Sequence, residues 1–279
     1  MGNSPRILKH RNKNLIVIQA RMASTRLPGK VLMDILGKPL LLRMVERVSK
    51  VKTKARIVVA TTTEKIDNKI AKICRSEGIE VFRGHSTDLL DRHYQAAVFY
   101  GADNIAKIPS DCPLIDPVII DKVFGEFERT RCDYASNLHP ASYPDGNDVE
   151  VMNSRCLKKT WELANTPMER EHTTPFIWDR PGRFKIKNVS CENDRSNSQN
   201  DYSMSHRWTI DYLEDYLLIQ KIFESLYSNN SDFGWKDILR YLDTNLSVKK
   251  INEKYVGVNW YRNFLGELHS ISVNQTKMI

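Results

Sequence analysis

Residues 19–30 read Gln19-Ala20-Arg21-Met22-Ala23-Ser24-Thr25-Arg26-Leu27-Pro28-Gly29-Lys30. Arg21, Arg26 and Lys30 are cations, Ser24 and Thr25 carry hydroxyls, and small residues stand between them. A triphosphate calls for that mixture: charge to neutralise it, donors to bond it, and small side chains that let backbone N–H groups approach. The segment is not a Walker loop, because Val31 follows Gly29-Lys30 and no glycine precedes at the required distance; nor is it G-x-G-x-x-G. Charge alone would describe a solvated basic loop equally well. Its place directly after the apolar, β-branched run Leu15-Ile16-Val17-Ile18 favours an anion site, since open α/β sheets bind ligands at the carboxyl ends of strands.

Two carboxylates stand at comparable places. Asp111, in Ser110-Asp111-Cys112-Pro113-Leu114-Ile115-Asp116, follows a strand expected over 105–108 and could hold a hard divalent cation. Asp116 precedes Pro117 and reads as a helix cap instead. Asp211 ends Arg207-Trp208-Thr209-Ile210-Asp211, read here as a strand entering a helix. On local grounds it is as good an N-cap as a ligand. The need for a second carboxylate beside Asp111 assigns it to the metal, because Mg²⁺ is commonly held by one or two carboxylates plus phosphate oxygens.

The elements that would position these groups alternate. Apolar runs at 15–18, 57–60, 81–82 and 105–108 read as buried strands. Helical patterns follow at 39–50, 67–74, 88–100 and 117–129. In the first of these, Leu41, Leu42, Val45 and Val48 share one face, and Arg43, Glu46, Arg47 and Lys50 the other. Alternation of this kind predicts an α/β fold: a mainly parallel sheet, right-handed crossovers, and helices on both faces. The second half is less regular. A turn at 143–146, strands at 148–152, 184–189 and 207–210, and helices at 155–164, 170–178, 212–223 and 235–242 are expected. The polar stretch 193–205 reads as a mobile loop. Trp161, Trp178 and Trp235 are expected in the core.

Bulk properties exclude several classes. The 279 residues carry a formal net charge of +8, part of it in a basic tail over 1–14. No continuous basic helix and no RNA-recognition motif accompany it, so specific nucleic-acid binding is not expected. Five scattered cysteines without C-x-x-C spacing argue against zinc and for reduced thiols. No apolar run approaches the ~18 residues of a membrane span, and no apolar leader opens the chain. A cytoplasmic protein is the expectation.

Five segments in order carry a resemblance: 19–30, Ala60-Thr61-Thr62, Val81-Phe82-Arg83-Gly84, Ser110 to Leu114, and Arg207 to Asp211. Together they resemble the cytidylyltransferase family, which includes the synthetases of CMP-activated acidic sugars, and within it the spore coat polysaccharide biosynthesis protein F branch. The resemblance implies a Rossmann-like nucleotide-diphosphosugar transferase fold over 15–250, with an acceptor side near 137–206, a C-terminal extension over 251–279, and a homodimer. It implies attack of a sugar oxygen on the α-phosphorus of CTP, with release of pyrophosphate. Gln19, Ala20 and Arg21 would frame the nucleotide, and Ser24, Thr25, Arg26 and Lys30 the phosphates. Thr61, Arg83 and the Asp88-to-Arg92 region, Arg92 included, would lie near base and ribose, Thr62 and Ser110 would also bind the nucleotide, and Asp111 and Asp211 would bind Mg²⁺. Tyr143, Asp145, Asp148, Glu150, Arg170 and His172 would line the pocket for a small anionic or sugar acceptor. His172 could equally be a packed helix residue, and Arg170 could pair with Glu171 or Glu162. No general base is evident. The 193–205 stretch and the basic tail depart from the family pattern. A CMP-phosphonate or CDP-sugar product, and an inactive nucleotide-binding scaffold, are the competing expectations.

Overall fold

The computed structural model describes residues 13–180, 182–191 and 202–278. Seven strands form one sheet: β1 Asn14–Gln19, β2 Ala55–Thr62, β3 Glu80–Gly84, β4 Asn104–Pro109, β5 Tyr134–Ser136, β6 Glu150–Asn153 and β7 Ile186–Asn188. Their order is β3-β2-β1-β4-β6-β5-β7. The pairs β1–β2, β2–β3 and β1–β4 are parallel, β6 runs antiparallel to both β4 and β5, and β5–β7 is parallel. The chain moves outward from β1 through β2 to β3, then returns to place β4 on the other side of β1. That reversal opens a crevice above the carboxyl ends of β1 and β4.

Alternation along β1 divides the core. Ile16 and Ile18 face a cluster with α1 (Leu40–Val48), α2 (Asn68–Ser76) and α4 (Pro117–Thr130). Leu15 and Val17 face the opposite cluster, with α3 (Leu89–Tyr100), α5 (Ser154–Leu163) and α7 (Pro175–Trp178). Period-two alternation requires this split, and each fully buried Ile, Leu or Val contributes ~1.5–3 kcal/mol. The fold is the expected mainly parallel α/β sheet with helices on both faces. A third cluster joins α8 (Leu213–Leu226) and α9 (Trp235–Thr244) to Leu40, Trp208 and Ile210.

Four details differ from the sequence expectations. Residues 207–210 form no ladder strand. Trp208 N donates to Asp145 O and Ile210 N to Asp111 O, so the extended segment clamps two loops rather than joining the sheet. The helix expected over 170–178 is two, α6 (Pro167–His172) and α7, broken where Thr173 takes φ 74° ahead of Pro175. Arg43 and Arg47, placed on the polar face of α1, are buried. The third cluster covers that face, and their guanidinium groups donate to the carbonyls of Ile35, Leu36, Ile115 and Phe233. Asn14, read as tail, begins β1. Asp116 does cap α4, accepting from Val118 N at 2.8 Å. Residues 1–12 and most of the 193–205 stretch lie outside the described residues. All five cysteines are free and buried, and no described helix is long and apolar enough to cross a membrane.

Candidate active site

The loop leaving β1 folds back on itself. Gly29 N and Ser24 N both donate to Met22 O, each at 2.9 Å, and Gly29 takes φ 74°, a conformation that favours glycine. Met22 N in turn donates to Asp67 Oδ1 at 2.7 Å. Buried Asp67 also accepts from the Thr62 hydroxyl. The loop is thus fixed from beneath by the end of β2. A cleft of about 430 Å³ opens above it. Gln19, Ala20, Arg21, Ser24, Thr25, Arg26 and Lys30 line one wall, and Ser110 and Asp111, from the end of β4, lie next to them.

The charges converge on one point. Lys30 Nζ lies 3.1 Å from Asp211 Oδ1 and 3.5 Å from Asp111 Oδ2, and donates to Ile210 O at 2.5 Å. Asp211 also accepts from Arg26 Nη2 at 2.5 Å and from Arg207 Nη2 at 3.0 Å. Burial by itself would raise the Asp211 carboxyl; Lys30, Arg207 and Arg26 outweigh it and hold the group well below the usual carboxylate range. Asp111 is far less engaged, its carboxylate meeting only Lys30 and the Cys112 thiol among the described residues. The Lys30 ammonium therefore occupies a cation position between two carboxylates. Among the described residues no three His, Cys, Asp or Glu side chains gather as a protein-only metal cage. Two carboxylates completed by phosphate oxygens are, however, a donor set that suits Mg²⁺, provided Lys30 turns toward the phosphates.

Arg207 is the hub of the opposite wall and was missed in the sequence, although its pentapeptide was singled out. Buried to 2 % exposure, it donates to Asp145 at 2.6 Å, to Asp211, to Asp215 at 3.2 Å, and to Val258 O at 3.1 Å. Asp215 also accepts from the backbone N–H groups of Asp211 and Tyr212, which sets the entry to α8. Gly146 lets the 143–146 turn seat on this segment: with φ 113°, a Cβ there would lie 2.7 Å from Thr209 N. Burial and the neighbouring carboxylates push Asp145 up to about 6 against the pull of Arg207. Burial, then Asp145 and Asp111, push Asp148 well above the carboxylate range.

Asp145, Asp148 and His172 line the cleft with Arg92. Buried Arg92 donates to the carbonyls of His85 and Ser86, which shapes the loop before α3. Other candidates stand apart. Thr62 is turned to Asp67, Thr61 is wholly buried, and Arg83 donates to Thr62 O, Glu64 O and Asn68. Glu150 is buried beneath the floor, where it pairs with Lys107 and accepts from Tyr134 OH at 2.6 Å. Arg170 ties α6 to α3 through Asp88, its Nη2 at 2.6 Å from Oδ2; the partner is neither Glu171 nor Glu162. Tyr143 lines a small annex of about 30 Å³ behind Asp145 and Asp148. Val258, Asn259, Trp260, Asn263 and Phe264, from the C-terminal extension, also line the cleft. No sequence signal pointed to them, because short 3₁₀ turns carry no periodicity.

A family model described as cytidylyltransferase matches residues 15–240. An uncharacterised protein of Methanocaldococcus jannaschii is 36% identical over 85% of this chain and 93% of its own length. The spore coat polysaccharide biosynthesis protein SpsF of Bacillus subtilis is 28% identical over 84% of this chain and 95% of its own. Among solved structures, a cytidylyltransferase from Leptospira borgpetersenii superposes with a TM-score of 0.79 at 32% identity, covering 86% of this chain and 98% of that one.

Proposed function

The chain belongs to the cytidylyltransferase family, and from that premise we propose that it moves CMP from CTP to an acidic sugar or related acceptor, releasing pyrophosphate for the synthesis of a surface polysaccharide or glycoconjugate. The observation that carries this reading is the convergence of Arg26, Lys30, Asp111 and Asp211 at the mouth of the β1 loop. Lys30 and Arg26 are held on a carboxylate, ready for exchange onto phosphate oxygens. Ser24 and Thr25 line the same wall and offer hydroxyl donors. Mg²⁺ held by Asp111 and Asp211 would neutralise charge on the triphosphate.

The chain's own residues supply the rest. The acceptor oxygen bonds to the α-phosphorus, its proton passes to water, and the bond from the α-phosphorus to the oxygen bridging it to the β-phosphorus breaks, that oxygen leaving with pyrophosphate. Arg26 and Lys30 stabilise the charge that grows on pyrophosphate. On the acceptor side, the carboxyl groups of Asp145 and Asp148 line the cleft and can hydrogen-bond the hydroxyls of a ligand. The polysaccharide role is supported by the name of the Bacillus subtilis relative.

The test is pyrophosphate release from CTP with Mg²⁺ across sugar acids, phosphonates and sugar phosphates. Turnover of a sugar acid is expected; turnover of a sugar phosphate or a phosphonate alone would replace the acceptor assignment. Asp111→Ala should abolish release without altering the melting transition of the free protein. Full activity in that variant would remove the metal assignment. CTP at ~100 times its Kd should stabilise the protein by ~2.7 kcal/mol; equal stabilisation by UTP, ATP or GTP would overturn the cytosine preference.

A further inference from the structure

The family match ends at residue 240, yet residues beyond it line the cleft. We propose that segment 258–264 is the sugar-reading wall of the acceptor subsite, with Trp260 as a platform for the ring and Asn259 and Asn263 as readers of its hydroxyl groups. This inference rests on the acceptor-transfer reading above.

The segment is anchored. Val258 O accepts from Arg207, and Asn252 donates to Arg207 O at 3.1 Å and to Asp215 at 2.7 Å. Asn259 N donates to the Thr276 hydroxyl at 2.9 Å. Farther on, Asp179 accepts from His269 N and Ser270 N. Buried Tyr261 packs edge-on against Trp178. The hub that orders Asp145 and Asp211 thus also orders the C-terminal segment.

Its side chains along the cleft include an aromatic ring and two amides, groups that a carbohydrate site uses. Trp260 stacks on His172 with ring centroids 3.8 Å apart and planes 11° from parallel, and Phe264 meets the same imidazole edge-on at 5.4 Å. Trp260 is half-buried and lines both the cleft and the annex behind Asp145 and Asp148. An indole face offers a large, rigid apolar surface with a negative quadrupole, which suits the C–H face of a pyranose ring. Among the described residues, the side-chain amides of Asn259 and Asn263 make no hydrogen bond to the protein, and both residues line the cleft. Each amide offers donors and an acceptor. Asp145 and Asp148 border the same annex as Asn259 and Trp260, so the set gathers several polar groups for the hydroxyls of a ring. A flat apolar ligand would leave these groups unpaired, which is costly. A polyhydroxylated ring satisfies them.

The experiment measures pyrophosphate release by the full chain with CTP and a panel of hexuronic acids, 2-keto-3-deoxy sugar acids and hexose phosphates. Trp260→Ala, Trp260→Phe and Asn263→Ala are compared with the unaltered protein. Trp260→Ala should raise the acceptor KM ~10-fold or more, and Trp260→Phe should recover most of that loss. Asn263→Ala should change the ranking of acceptors that differ in one hydroxyl. The KM for CTP and the CTP-induced thermal shift should stay unchanged in all three. Unchanged acceptor KM and ranking would overturn the proposal, as would a parallel rise in KM for CTP. If the unaltered protein turns over no member of the panel, the transfer reading fails for those acceptors. The subsite is then judged by saturation-transfer NMR with the same sugars. Ring-proton signals lost in Trp260→Ala support the platform, and signals that are absent or unchanged overturn it.

Discussion

The two walls of the cleft hold their charges in opposite ways. The nucleotide wall hangs on the ends of parallel strands, and two of its three cations stand near the surface: Arg21 is exposed without an ion pair among the described residues, and the Arg26 side chain is 39% exposed, while Lys30 is buried against Asp111 and Asp211. The acceptor wall is built from loops and the C-terminal extension, and its cation, Arg207, is sealed among three carboxylates. Exposed cations can be handed to a ligand at little cost to the fold. A sealed cation is part of the fold, because Asp145 and Asp215 would otherwise be left without a charged partner. On the proposed reading, the difference separates residues that would act on the substrate from residues that shape the place where it would sit.

Removing the sealed charge should have the largest effect. Arg207→Met leaves Asp145 and Asp215 without their partner and cuts the link to Val258 O. A loss of ~3–5 kcal/mol in unfolding free energy is expected from urea titration. A loss below ~1 kcal/mol would mean that the acceptor wall is held by its packing and not by its charges.

Arg26→Ala should invert that result. Its ion pair with Asp211 is half open to solvent, so stability should change by less than ~1 kcal/mol. The chemical step should slow by ~10²- to 10³-fold if Arg26 stabilises the leaving pyrophosphate. A variant that lost stability and kept its rate would place Arg26 with Arg207 and erase the contrast between the walls.

The same contrast explains what the sequence made legible. A buried parallel strand must be apolar throughout, so Leu15-Ile16-Val17-Ile18 announced β1, and the cationic loop after it stood out. Asp111 followed from the same rule at β4. Asp67, which fastens the loop through Met22 N, looked like an ordinary helix-start residue. Arg83 and Arg92 both donate to backbone carbonyls, although Arg92 also lines the cleft. A carbonyl is present at every residue and so leaves no mark in a sequence. The 207–211 segment alternates as a strand does, but its backbone partners are the carbonyls of Asp145 and Asp111 in two separate loops. Trp260 was illegible for a related reason: its partner His172 is 88 positions earlier in the chain, and neither lies in a repeating pattern.

The smallest effect separates the walls by pH. Among the described residues no imidazole lines the nucleotide wall, whereas the acceptor wall has His172 under Trp260. Burial first, then the field of Lys107, push that imidazole down to about 3. In the unfolded chain a histidine titrates near ~6.5. A depressed folded value means that the unfolded chain takes the proton first. The stability is therefore complete above pH ~6.5 and lost as the pH falls toward the folded value. Between pH 7 and 5 a single such group costs up to ~2 kcal/mol, and ~1 kcal/mol once its partial exposure is allowed for. His172→Gln keeps a polar planar group but cannot take up the proton. Its unfolding free energy should fall between pH 7 and 5 by ~1 kcal/mol less than that of the unaltered chain. The remaining slope belongs in part to His93 and His139, pushed down to about 3 and about 4 by burial. An unchanged slope would mean that His172 is already hydrated in the folded protein. Trp260 would then be an open surface, and the acceptor wall would lose the seal that sets it apart from the nucleotide wall.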